Sequence, residues 1–158
     1  MNYQLLDSGE NEKLERFGPY VLRRPDPQAL WERGQSSVVW DPCDAWFERK
    51  GEKGEWHFNK ELPREWEIEY GGLQFLIRPT SFKHVGLFPE QLPNWEWVER
   101  LLREMPSSTA ARHEIKVLNL FGYTGGATLA AAKAGASVTH VDASKTAVEW
   151  GRLNAEKT

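Results

Sequence analysis
Between Glu65 and Pro79 the chain alternates apolar and polar residues about a pair of glycines. Trp66, Ile68 and Tyr70 alternate with Glu65, Glu67 and Glu69, the period of a strand buried on one face. Gly71-Gly72 supplies a two-residue hairpin turn. In that register Tyr70 faces Leu73, Ile68 faces Phe75 and Trp66 faces Ile77, so six apolar side chains share one face. The stretch AWFERKGEKGEWHFNK, residues 45–60, repeats the pattern less cleanly, with a turn at Gly51 to Gly54. LERFGPYVLRRPDP, residues 14–27, predicts another strand, which Pro25 and Pro27 end. Together these predict a small Trp-rich antiparallel β unit over residues 1–79.

Beyond Thr80 the period changes. In NWEWVERLLREM, residues 94–105, Val98, Leu101, Leu102 and Met105 fall at i, i+3, i+4 and i+7, the stripe of an amphipathic helix. Asn94 is the expected N-cap, and Glu96–Arg100 and Glu99–Arg103 pair along the outer face. Pro106 to Thr109 reads as a connection. Val117 to Phe121 then predicts a short buried strand. A helix follows from about Thr124, with Ala127, Ala130, Ala131 and Ala134 on one stripe and Gly135 as its C-terminal stop. Ala136 to Val141 predicts a second strand ending in Asp142, and Ser144 caps a second helix running through Trp150 and Leu153. Strand–helix–strand–helix is the opening of a Rossmann-like, doubly wound α/β sheet.

Composition changes this picture little. Hydrophobic residues at 40% and charged residues at 27% suit an ordinary soluble globular chain of 158 residues. The eight tryptophans are unusual, and all but Trp150 lie in the first hundred residues. A net charge of −3 offers no bulk electrostatic reason to bind nucleic acid. Residues 1–80 carry 11 Lys/Arg against 15 Asp/Glu, and residues 81–158 carry 9 against 8. The lone cysteine, Cys43, excludes an internal disulfide and fits a reducing, cytoplasmic compartment. With no basic-then-apolar leader and no long apolar run, no membrane association is expected. No metal site is expected, and no residue stands out as catalytic.

The turn Gly122-Tyr123-Thr124-Gly125-Gly126 carries the chemistry. A dinucleotide fingerprint wants G-x-G-x-x-G so that backbone N–H groups cradle a pyrophosphate, and that pattern is absent. A ligand without phosphates needs no such cradle. S-adenosylmethionine, an adenosine joined to methionine through a sulfonium, needs a turn that lets backbone approach closely, which Gly122, Gly125 and Gly126 allow. It also needs an acid at the end of the second strand to accept its ribose hydroxyls. Asp142 lies 20 residues after Gly122, at the interval expected of that acid. The plainer alternative is a glycine-rich helix start, with an Asp capping the next helix.

The segment VLNLFGYTGGATLAAAKAGASVTHVDASKTAVEWGRLNAE resembles the first half of class I S-adenosylmethionine-dependent methyltransferases, closest to the group related to the ribosomal large-subunit RNA methyltransferases. The commonest form of this turn reads D-L-G-x-G-x-G; here Asn119 replaces the acid, Phe121 the first glycine and Tyr123 the second, as in that subgroup. FKHVGLFPEQ, Phe82 to Gln91, is similar to its K-x-G-x-F-x-D-Q segment beside the cofactor. The resemblance covers residues 80–158, and the Trp-rich unit resembles, less specifically, a small β-domain of one branch. It implies that Asp142 holds the ribose and that Ala143 lies against the adenine. It also implies that the backbones of Phe121, Gly122, Tyr123 and Gly125 face the methionine and ribose, and that Phe88, Gln91 and His84 close the site. A core aromatic remains the alternative for Phe88, and a hydrogen-bonded structural histidine for His84. RNA is the acceptor the resemblance implies.

The family continues through further strands, including a D-P-P-x-F-like segment that shapes its acceptor pocket, and nothing in this sequence matches it. The chain therefore reads as the N-terminal, cofactor-binding portion of a longer enzyme, inactive alone. If it is complete, the unfinished sheet needs a cover, such as a second copy. Two other readings stand beside this one: an NAD(P)-binding domain, disfavoured by the missing fingerprint, and a noncatalytic module whose aromatic β unit holds a peptide or RNA.

Overall fold
A computed structural model of the protein describes residues 3–51, 53–105 and 115–158; the connection expected at Pro106 to Thr109 lies outside them. The chain forms two compact units. One takes residues 1–69 with 77–85, the other 70–76 with 86–158, so the division passes through the 66–77 hairpin rather than near residue 80.

The first unit holds a sheet ordered β1 (Tyr3–Gly9), β2 (Glu12–Phe17), β3 (Tyr20–Pro25), β4 (Ala45–Lys50), β5 (Lys53–Phe58). Glu10 and Asn11, at φ 53° and 65°, make the β1–β2 turn, the left-handed pair of a type I′ hairpin. The sheet is mixed, which corrects the wholly antiparallel expectation: β3 and β4 run parallel, pairing Leu22 with Ala45 and Arg23 with Trp46. Residues 26–44 are long enough to carry the chain back to the same end, and the short α1 (Ser37–Trp40) lies within them. Asp7 ties this crossover down, accepting from Trp40 Nε1 and the Gln35 amide, both at 2.8 Å. A bulge between Leu5 and Asp7 lies at that point of β1.

The β4–β5 turn is also tighter than expected. Lys50 pairs with Lys53, so Gly54 sits within β5 opposite Arg49 rather than in the turn. β2 is buried on both faces. Leu14 joins Trp40 and Cys43 on one. On the other lies the buried pair Glu15–Arg24, with Arg24 Nη2 at 2.6 Å from Glu15 Oε2 and Tyr3 Oη donating to Oε1 at 3.0 Å. Burial also pushes the Cys43 thiol up.

β6 (Trp66–Tyr70) and β7 (Leu73–Ile77) pair as a separate two-stranded sheet, with Gly71 and Gly72 at φ 61° and 70° in the turn. Trp66, Ile68 and Ile77 are buried in the first unit, Leu73 and Phe75 in the second, and Tyr70 is half-buried.

The second unit is the strand–helix–strand–helix segment with a helix before it. α2 (Leu92–Glu104) follows a 3-10 turn at Pro89–Gln91, three residues earlier than the Asn94 cap predicts. Pro93 occupies its first turn, where a missing N–H costs nothing; Asn94 instead donates to Gln91 Oε1 at 2.9 Å. Its buried residues are Trp95 and Leu102, while Leu101 and Met105 are exposed, so the inward stripe is rotated from the predicted one. The Glu99–Arg103 pair forms at 2.9 Å.

β8 (Lys116–Leu120) and β9 (Ser137–Val141) run parallel from Lys116–Ser137 to Leu120–Val141, joined by α3 (Gly126–Lys133) and followed by α4 (Lys145–Lys157). Gly135, at φ 97°, ends α3 as predicted: its amide reaches Ala132 O and the Ala136 amide reaches Ala131 O, a Schellman stop. Ser144 Oγ caps α4 through the Ala147 amide at 3.2 Å. β8 is not the buried strand expected. α3 packs against both strands, but Leu118 at 60% and Leu120 at 55% exposure point the other way. α4 is tied to β7 by Trp150 Nε1 donating to Leu76 O at 3.1 Å and by Asn154 Oδ1 accepting from the Leu76 amide at 2.9 Å. No helix among the described residues is long and apolar enough to cross a membrane.

Candidate functional site
At the C-terminal end of β8 the second unit opens into a concavity of about 330 Å3, the place where open α/β sheets take ligands. The turn after β8 forms its floor. Gly122 N donates to Val141 O at 3.0 Å, continuing the parallel pairing, and Gly125 N closes the turn on Gly122 O at 2.9 Å. Phe121, Tyr123 and Gly125 take φ of 59°, 49° and 96°. Two residues with full side chains thus hold left-handed backbone, a strain of about 1–3 kcal/mol each that clusters at functional sites. They are the first two of the three positions where the D-L-G-x-G-x-G form has glycine.

Tyr123 has contacts that offset this strain. Its hydroxyl accepts the Gly86 amide at 3.1 Å, and its ring lies 4.6 Å from Phe88, centroid to centroid. Thr124 is buried and donates to Gly86 O at 2.6 Å, while Asn154 Nδ2 donates to Thr124 O at 2.9 Å. These bonds fix the turn to the 86–88 segment and to α4. Phe121 is 89% exposed at the rim.

Asp142 follows β9 directly. Its Oδ2 accepts the Tyr123 amide and its Oδ1 the Ser144 amide, both at 2.8 Å. The amides of Ser144 and Tyr123 hold the carboxyl below its ordinary range, against a smaller effect of burial, and His140 adds to the lowering. Beneath the turn runs a polar chain: Asn119 Nδ2 donates to Thr128 Oγ1 at 2.8 Å, which lies 2.8 Å from His140 Nδ1. A side chain on Gly122 would strike the His140 ring.

Of the residues singled out from the sequence, Phe88, Gln91, Asn119, Phe121, Gly122 and Tyr123 line this concavity. Gly125 is buried in the turn, Asp142 is bonded to it, and Ala143 is exposed beside Asp142. His84 belongs to the first unit and lines a different concavity there. Sequence reasoning missed Phe75, Leu87, Trp95 and Ala127 in the lining. Trp95 was legible in principle: it falls one helical turn after Gln91, and Gly126 has room for no side chain against its ring. In the first unit Glu48, Glu55 and His57 gather as a metal could require, but Lys50 Nζ stands between the carboxylates at 3.0 and 2.6 Å.

No family model matches the chain. It is similar to the SAM-dependent methyltransferase of Agrobacterium tumefaciens, with 44% identity and a TM-score of 0.89 over 99% of this chain and 48% of that one. The ribosomal RNA large subunit methyltransferase K/L of Magnetococcus marinus is 36% identical over 112 residues, 69% of this chain and 14% of that protein. SMU.776, solved in complex with SAH, matches with a TM-score of 0.69 at 19% identity over 98% of this chain and 42% of that one, a likeness of fold. The chain spans less than half the length of each of these proteins.

Proposed function
We propose that this chain, a member of the class I S-adenosylmethionine-dependent methyltransferases in the group related to the ribosomal large-subunit RNA methyltransferases, binds that cofactor on the turn between β8 and α3 and serves methyl transfer to RNA. The observation that carries the reading is Asp142. A carboxylate offers about four acceptor positions; the Tyr123 and Ser144 amides take one on each oxygen. One position per oxygen remains, a match for two neighbouring ribose hydroxyls, and the carboxylate cannot swing away because both amides hold it.

The turn fits the rest of the ligand. The turn takes left-handed backbone at Phe121, Tyr123 and Gly125 and lacks the glycine pattern of the phosphate cradle that a dinucleotide needs. The backbones of Phe121, Gly122, Tyr123 and Gly125 face the methionine and ribose, Ala143 lies against the adenine, and Phe88 and Gln91 close the site. Asn119 sets the floor through Thr128. When bound, the cofactor supplies an electrophilic methyl group on its sulfonium. The residues contribute position and exclusion of water rather than a proton relay. The second unit, residues 70–76 with 86–158, makes up the cofactor-binding part, the Trp-rich first unit is a separate β unit, and RNA is the acceptor suggested by the names of the relatives.

Isothermal calorimetry of the chain with S-adenosylhomocysteine and with NADH tests the reading. Binding of the first alone is expected; binding of NADH alone would make this a dinucleotide domain, and binding of neither would leave no cofactor role.

A further inference from the structure
The first unit has its own concavity, about 210 Å3, lined by Phe47, Arg49, Gly54 and the segment Ser81 to His84. Its origin is local. Gly54 pairs with Arg49 across β4 and β5 and leaves a notch that any side chain would fill, striking the Phe47 ring. Trp56 Nε1 donates to Thr80 O at 2.7 Å and Thr80 Oγ1 to His84 O at 3.0 Å, which holds the 80–84 segment over the notch.

Arg49 and Lys83 line this notch, and no carboxylate lines it with them. Arg49 Nε donates to Gly51 O at 3.2 Å and Lys83 Nζ to Pro25 O at 3.1 Å. Neither cation has an ion-pair partner among the described residues, although the chain as a whole is acidic at −3. Burial pushes the half-buried Lys83 ammonium down, and the charges of Lys13, Arg24 and Arg49 add to this against Asp26. An anion entering beside Lys83 would offset both its partial desolvation and its repulsion from the neighbouring cations. Beside them Phe82 stands 67% exposed. Cations for a backbone phosphate next to an open ring face for a base is how proteins hold single-stranded nucleic acid.

We propose that this pocket anchors a single-stranded stretch of the RNA acceptor, with Arg49 and Lys83 taking a backbone phosphate and Phe82 stacking an adjacent base. The inference rests on the RNA-acceptor reading above but not on the cofactor turn. The test is fluorescence anisotropy of the 158-residue chain with a labelled, unstructured oligoribonucleotide across a salt series, with S-adenosylhomocysteine calorimetry on the same samples.

Arg49→Gln should flatten the log–log salt dependence by about 0.7, the value for one phosphate on a single strand. Lys83→Gln should act in the same direction, and Phe82→Ala should weaken binding by about fivefold or more with the slope kept. Arg152→Gln, on an exposed face of α4, should change neither. Arg49 is exposed, so its variant stays informative even if Lys83→Gln disturbs folding. An unchanged slope in Arg49→Gln, or an effect equal to that of Arg152→Gln, overturns the inference. So does release of the RNA by equimolar inorganic phosphate or a nucleoside monophosphate, which would make this a small-anion site. Loss of S-adenosylhomocysteine binding with the RNA effects intact would count against the cofactor reading alone.

Discussion

Tyr123 carries a full side chain at φ 49°, and its phenol shows what offsets that choice. Tyr123→Phe leaves the buried Gly86 amide without its acceptor, and the expected loss is about 1–3 kcal/mol of stability. An unmoved denaturation midpoint would mean the bond contributes nothing. Phe121 presents the opposite case: left-handed, 89% exposed, and with little packing to lose. Phe121→Gly should be neutral or stabilise the chain by up to about 1 kcal/mol, as relief of left-handed strain outweighs glycine's added chain entropy. A large fall in midpoint would show the ring to be structural. For Asp142 the expectation concerns pH. Its folded-state pKa is lowered by the Ser144 and Tyr123 amides, so its contribution to stability is present above the ordinary carboxylate range and lost as pH falls through the folded value. Acid unfolding of Asp142→Asn should therefore be less steep below about pH 4 than that of the native chain; equal slopes would contradict the bonding described.

At the scale of elements, most of what was legible came from short-range pattern. The Gly71-Gly72 hairpin, the Gly135 stop and the Ser144 cap each depend on a few adjacent residues, and each forms as read. What escaped depends on distant partners. The β3–β4 pairing is parallel because of an aperiodic crossover whose anchor, Asp7, lies 33 residues from Trp40. The Glu15–Arg24 pair is buried although its residue types argue for the surface. α2 begins early because Pro93 suits a first turn better than Asn94 suits a cap. Phe75 tests the packing of the second unit: it is fully buried and stacks on Trp95 at 5.6 Å. Phe75→Ala should cost about 3–5 kcal/mol, read from urea denaturation; a midpoint that barely moves would remove the pair from the core.

For the whole molecule, the proposed cofactor site is legible because its parts lie close together in sequence, on one strand–turn–helix and the acid that follows. The remainder of that concavity, Phe75, Leu87 and Trp95, comes from segments whose apolar residues look like ordinary core. The central claim is that Asp142 accepts the ribose hydroxyls of S-adenosylmethionine. The most direct measurement is calorimetry of S-adenosylhomocysteine and its 2′-deoxy analogue against the native chain and Asp142→Ala. Charge-assisted bonds of about 1.5–3 kcal/mol each predict that the native chain prefers the ribose form by at least about tenfold, that the variant weakens it by at least as much, and that the variant no longer distinguishes the two ligands. Unchanged affinity in Asp142→Ala, or a preference that survives the substitution, would contradict the assignment.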